Sequence, residues 1–158
     1  MAISLNFQTN AELSPSELLA YFVRTLDAEM KGSEFAEVDG LQIDADITEA
    51  EDLGRFNEIV GDRDVATVGF RLDNELGEQA RVRAYTRILE ATSGFLLENP
   101  RVQGILDLNW ERIVVERRAA GDLTFDTAWN SLPGLEVPAE LYSPPAGAKV
   151  QEVDQVLL

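Results

Sequence analysis

Asp44 and Asp46 stand two residues apart in the run Leu41-Gln42-Ile43-Asp44-Ala45-Asp46-Ile47. An extended backbone places both carboxylates on one strand face. Neighbouring carboxylates are the raw material of a glycosidase pair or of a divalent-cation site. Each use demands more than adjacency. A general acid needs a carboxyl of raised pKa in a cleft. An EF-hand needs a twelve-residue loop ending in Glu, and no stretch fits that pattern. With 29 Asp and Glu in 158 residues, such adjacency arises by chance. The chain has no histidine and no cysteine, which removes thiol nucleophiles, Ser-His pairs, His bases and Cys-based zinc sets. Phosphate loops of the GxxxxGK and GxGxxG types are missing. Arg81, Arg83 and Arg87 offer an anion patch, but Arg83 and Arg87 at i,i+4 read first as a helix face paired with Glu78, Gln79 or Glu90. The expectation is a non-enzyme with no cofactor and no metal. A hydrolase built on Asp44 and Asp46 ranks last.

Charge carries more information than chemistry. Thirteen Lys and Arg against 29 acids leave a net charge of −16 and a pI near 4.2. Such a chain repels nucleic acid and anionic membranes. The excess is local. Residues 34–54 hold eight acids and no base, half of the net charge. Within them Glu37, Asp39, Asp44, Asp46, Glu49, Glu51 and Asp52 form the candidate partner-binding surface. Acids crowded on one exposed strand face repel one another, and a basic protein partner would relieve that repulsion and associate faster. The plainer reading of the same face is a solvated surface that keeps the protein soluble. Trp110 and Trp129 read as core or hairpin-packing residues rather than stacking platforms.

The elements that must position these acids follow from periodicity. Ile3, Leu5 and Phe7 alternate with polar residues, as in a half-buried strand. Ser14-Pro15-Ser16-Glu17 gives a capping box with Pro at the first helical position, opening a helix over about 15–30. Phe35–Ile47 reads as a hairpin about Asp39-Gly40. Thr48 and Glu51 resemble a second capping box, for a short helix over 49–59. Residues 65–72 form a strand, and about 75–93 a long helix with Asp73 or Asn74 as cap. Three antiparallel strands follow, around Leu106–Trp110, Ile113–Val115 and Leu123–Phe125. The fold expected is α+β: an antiparallel sheet with two long amphipathic helices packed on one face, in the order β-α-ββ-β-α-βββ. Residues 1–132 form a single domain. Pro133, Pro138, Pro144 and Pro145 mark 133–158 as a C-terminal arm or tail, dispensable for the fold because it lacks apolar periodicity. No signal sequence or spanning segment is visible, so the expected location is the cytoplasm.

Residues 64–126 resemble a known family. Val68-Gly69-Phe70-Arg71-Leu72-Asp73-Asn74 leads into the long helix. After it come Ile105-Leu106-Asp107-Leu108-Asn109-Trp110-Glu111, then Ile113-Val114-Val115-Glu116-Arg117-Arg118, then Gly121-Asp122-Leu123-Thr124-Phe125. The pattern is similar to that of immunity proteins of the swarming-inhibition toxin (Sit) systems of myxobacteria and actinobacteria. Their members commonly show V-x-F-x-L-D-K at a strand end, a helix, L-L-x-N-G-E, a short β-run, and R-R-x-G-x-L. The start MAISLNF is similar in style. Asn74 stands where Lys is usual, and Trp110 where the hairpin Gly is usual. The resemblance implies a cytoplasmic, non-enzymatic protein, monomer or homodimer, that binds and neutralises a cognate toxin. It carries over no catalytic residue. The competing expectation is a structural or assembly subunit whose arm, ending in Val156-Leu157-Leu158, reaches onto a neighbouring copy.

Overall fold

The computed structural model describes residues 3–119 and 121–155. Met1, Ala2, Ala120 and the Val156-Leu157-Leu158 end of the arm lie outside the described residues. The chain is α+β, with a nine-stranded sheet and three α-helices among the described residues. Strands β1 (Ile3–Thr9), β2 (Glu29–Met30), β3 (Phe35–Val38), β4 (Leu41–Thr48), β5 (Val65–Leu72), β6 (Gly104–Leu108), β7 (Arg112–Arg117), β8 (Thr124–Phe125) and β9 (Lys149–Val150) lie in the order β2-β3-β4-β5-β1-β6-β7-β8-β9. Every neighbouring pair is antiparallel except β8 with β9, so the sheet is mixed. The antiparallel-only expectation fails there. The chain from Asp126 to Ala148 returns as a long crossover, which a parallel pair requires.

Helix α1 (Pro15–Leu26) begins as its residues dictate. Ser14 Oγ accepts from the Glu17 N–H at 3.1 Å, and Glu17 Oε1 accepts from the Ser14 N–H at 3.0 Å. It stops at Leu26 rather than Met30, because Asp27 turns left-handed at φ 55° and the chain enters edge strand β2. The hairpin β3–β4 turns on Asp39 (φ 47°) and Gly40 (φ 79°), both positive as a tight two-residue turn requires. Helix α3 (Glu78–Glu98) starts three residues later than the expected 75. Asp73 accepts from the Glu75 N–H and spends itself on the preceding turn. It runs on to Asn99, whose side chain donates to the Phe95 carbonyl.

Alternation decides which residues meet. Phe7 touches Phe22 of α1 and Phe95 of α3 edge-to-face, with ring centroids 5.8 and 5.6 Å apart. Phe22 meets Phe70 of β5 at 5.3 Å. Ile43, Val68, Ile88, Leu89 and Leu106 are buried in the same cluster, with Leu108 partly buried against it. The other sheet face carries a smaller core. Ala50–Asp52 and Gly54–Phe56 form single 3₁₀ turns, and α2 (Asn57–Val60) follows. Thr48 is not their cap; its hydroxyl shares a hydrogen bond with Thr67. This segment seats Leu53, Phe56, Ile59 and Val60 against Val65, Ile105, Ile113 and Val153.

The arm packs on its own chain. Leu135, Val137 and Val153 are buried. Gln155 both accepts from the N–H and donates to the carbonyl of Ile113. Asp126 accepts from Arg112, Ala128 N–H and Val153 N–H. Despite desolvation by burial, these donors hold its carboxyl below the usual range. Scattered apolar residues of the arm, without periodicity, fill separate gaps in the two cores. Among the described residues no helix is long and apolar enough to cross a membrane.

Candidate functional site

Strand register sets out the second face row by row. Asp44 pairs with Gly69, Gly69 with Asn6, and Asn6 with Asp107, across β4, β5, β1 and β6. The next row is Asp46, Thr67, Gln8 and Ile105. Residues 50–60 cover one side of this polar face. They leave a groove of about 380 Å³ lined by Asn6, Asp44, Asp46, Asp52, Thr67, Gly69 and Trp110, with Ile47 and Thr48 beside them.

Each wall has a local cause. Gly69 supplies the floor because a methyl group there would stand 2.6 Å from Asp44 Oδ1. The carboxylate lies where a side chain would otherwise be. Partial burial, and then the neighbouring Asp46, raise the Asp44 pKa above its ordinary value. Asn6 is 8% exposed. Its Nδ2 donates to Asp107 Oδ1, while its Oδ1 accepts no hydrogen bond among the described residues. Trp110 closes the far end. It sits in the β6–β7 turn with Asn109, at φ 60° and 53°. Its indole stacks on Phe56 at 5.9 Å and stays 45% exposed.

Behind the groove lies a polar network that solvent does not reach. Asp107 is fully buried. It accepts from Asn6, from Gln8 Nε2 at 3.1 Å and from the Trp110 N–H at 2.6 Å. Burial wins over these three donors and pushes its pKa up to about 6. Gln8 Oε1 is buried without a partner.

All seven candidate acids are exposed, but they are not one surface. Asp44, Asp46 and Asp52 converge on the groove. Glu49, Glu51 and Asp52 bring carboxylate oxygens within 4.8 Å of one another in the adjoining turn. The Glu49 pKa rises there, first through its hydrogen bond to Glu51 and then through the Asp52 and Asp64 charges. Glu37 lies farther along the same face, opposite Glu29 and Gln42 and beside Arg71. Asp39 sits apart in the hairpin turn, 3.8 Å from Arg87 of α3. Among the described residues, neither Arg83 nor Arg87 forms a salt bridge with Glu78 or Glu90. Arg87 takes Asp39 and the Leu26 carbonyl, and Arg81 takes the Gly134 carbonyl of the arm.

The pattern of residues names Asp44 and Asp46 but not Asn6, Gly69, Asp107 or Trp110. Asn6 and Asp107 lie on the polar phase of their strands, which alternation alone assigns to solvent. The available signal is Trp110 in a turn position that favours glycine. No family model, no curated protein and no solved structure matches the chain.

Proposed function

We propose that this chain is an immunity protein, a non-enzymatic binder that neutralises a cognate antibacterial toxin through its acidic sheet face. The observation that carries the reading is the convergence of Asp44, Asp46 and Asp52 on one open groove, with no base between residues 34 and 54. The Sit-type resemblance over 64–126 supports it. Toxins that act on nucleic acid carry basic sites, and an acidic face blocks such a site by standing in for phosphate charge. Among the described residues of the arm, Leu135, Val137 and Val153 are buried in the chain's own core, which favours the binding reading over the assembly one. Both sheet edges are two-residue strands, too short to template further strands.

The test is co-expression with the product of each gene that flanks this one, any product that kills the host serving as the toxin. Cells are expected to die with the toxin alone and to grow when this protein is present. Death in both cases overturns the reading.

A further inference from the structure

We propose that Asp107 and Gln8 form a proton-operated switch beneath the acidic sheet face: a proton taken up from solvent on Asp107 Oδ2 turns the Gln8 amide over and loosens the hold on the Trp110 turn. The device stands whether or not the toxin reading above holds.

The two carboxylate oxygens of Asp107 are not equivalent. Oδ1 accepts twice, from Asn6 Nδ2 at 3.1 Å and from the Trp110 N–H at 2.6 Å. Oδ2 accepts once, from Gln8 Nε2 at 3.1 Å. A proton therefore adds at Oδ2, where it displaces one donor rather than two. There the new O–H faces another donor, because an amide nitrogen accepts no hydrogen bond. The same side chain carries the remedy. Gln8 is fully buried, and its Oε1 has no hydrogen-bond partner among the described residues. Turning the amide over sets Oε1 against the O–H and moves Nε2 to the unpartnered position. Each arrangement leaves one Gln8 atom unpaired, so neither is locked.

Burial, not a neighbouring charge, sets the affinity for this proton. Strand β1 presents Asn6 and Gln8 to Asp107, and β7 places Ile113 opposite it. In the surrounding segments Arg55 pairs with Glu58 and Arg112 with Asp126, while Asp52 and Glu111 are exposed. Along its own row the next carboxylate is Asp44, three strands away on β4. Desolvation raises the Asp107 pKa to about 6 against its three hydrogen bonds, and no charge contributes. An ionised acceptor holds a donor roughly twice as strongly as a neutral one. Proton uptake withdraws that assistance from the Trp110 N–H.

The test is a titration of full-length protein labelled with ¹³C and ¹⁵N, from about pH 8 to about pH 5, which spans the raised carboxylate range. The Asp107 carboxyl carbon and the Gln8 side-chain amide are expected to shift together, with one midpoint near 6. The scalar coupling across the hydrogen bond from Gln8 Nε2 to the Asp107 carboxyl carbon is expected at the alkaline end and absent at the acid end. The Trp110 backbone amide is expected to exchange with solvent several-fold faster below the midpoint, once the intrinsic rate is divided out. Asp107→Asn sets an amide N–H where the O–H would stand, so its Gln8 resonances are expected near the acid position throughout. An Asp107 carbon that does not titrate in this range overturns the switch. So does a coupling kept at both ends, a Gln8 amide that still titrates in Asp107→Asn, or Trp110 protection that ignores the midpoint. Should Asp107→Asn not fold, the wild-type coupling decides alone.

Discussion

The backbone N–H of Trp110 donates to Asp107 Oδ1 at 2.6 Å, and this bond ties an exposed indole to a carboxylate that solvent does not reach. Asn6 binds the same oxygen from the groove floor. Floor and wall of the groove therefore share one buried anchor. A strained turn residue persists where its surroundings over-determine it. Here the Asp107 acceptor and the Phe56 ring do so.

Trp110→Gly tests the strain. A non-glycine residue in left-handed backbone costs about 1–2 kcal/mol, and an aromatic pair is worth about 0.5–1.5 kcal/mol. These terms nearly offset. The variant is expected to melt at or above the wild-type temperature. A loss beyond about 2 kcal/mol in urea unfolding would show the indole to be a core residue.

Asp107→Asn tests the buried carboxylate. Its folded pKa of about 6 lies above the ordinary 3.8. The folded state therefore binds this proton more tightly than the unfolded state. The contribution to stability is fully present below 3.8 and is lost as pH rises through about 6. That gap corresponds to on the order of 3 kcal/mol at 1.36 kcal/mol per pH unit. Wild-type stability is expected to gain on the Asn variant by about that much between pH 7 and pH 4, read by urea melts. Parallel pH profiles would show that Asp107 does not titrate in this range.

Truncation after Leu132 tests the arm. It removes buried Leu135, Val137 and Val153 and strips Asp126 of the Val153 N–H. Each fully buried aliphatic side chain contributes about 1.5–3 kcal/mol. The truncated chain is expected to melt well below the full chain or to be insoluble. An unchanged melting temperature would show the arm to be an ornament of the fold.

Much of this fold is readable from local pattern. The capping box at Ser14, the Asp39-Gly40 turn and the alternation of Ala66, Val68, Phe70 and Leu72 each identify an element from a few adjacent residues. What escaped is non-local. Asp27 ends α1 by a backbone conformation that its residue type merely permits. β9 pairs in parallel because a distant crossover delivers it. Asn6 and Asp107 look solvent-facing by alternation, yet both are buried in a hydrogen-bond network with Gln8 and the Trp110 N–H. The site was half legible for the same reason. Asp44 and Asp46 announce themselves by spacing and charge, whereas Gly69 and Trp110 gain meaning once register sets them across from those acids.

The most direct measurement is growth protection against any flanking-gene product that kills the host, comparing wild type with the double reversal Asp44→Lys, Asp46→Lys. Both side chains lie on the exposed phase of β4, so the variant is expected to keep the wild-type melting temperature. The prediction is that wild type protects and the equally folded reversal does not. Protection by both, or by neither, would contradict neutralisation through the acidic face.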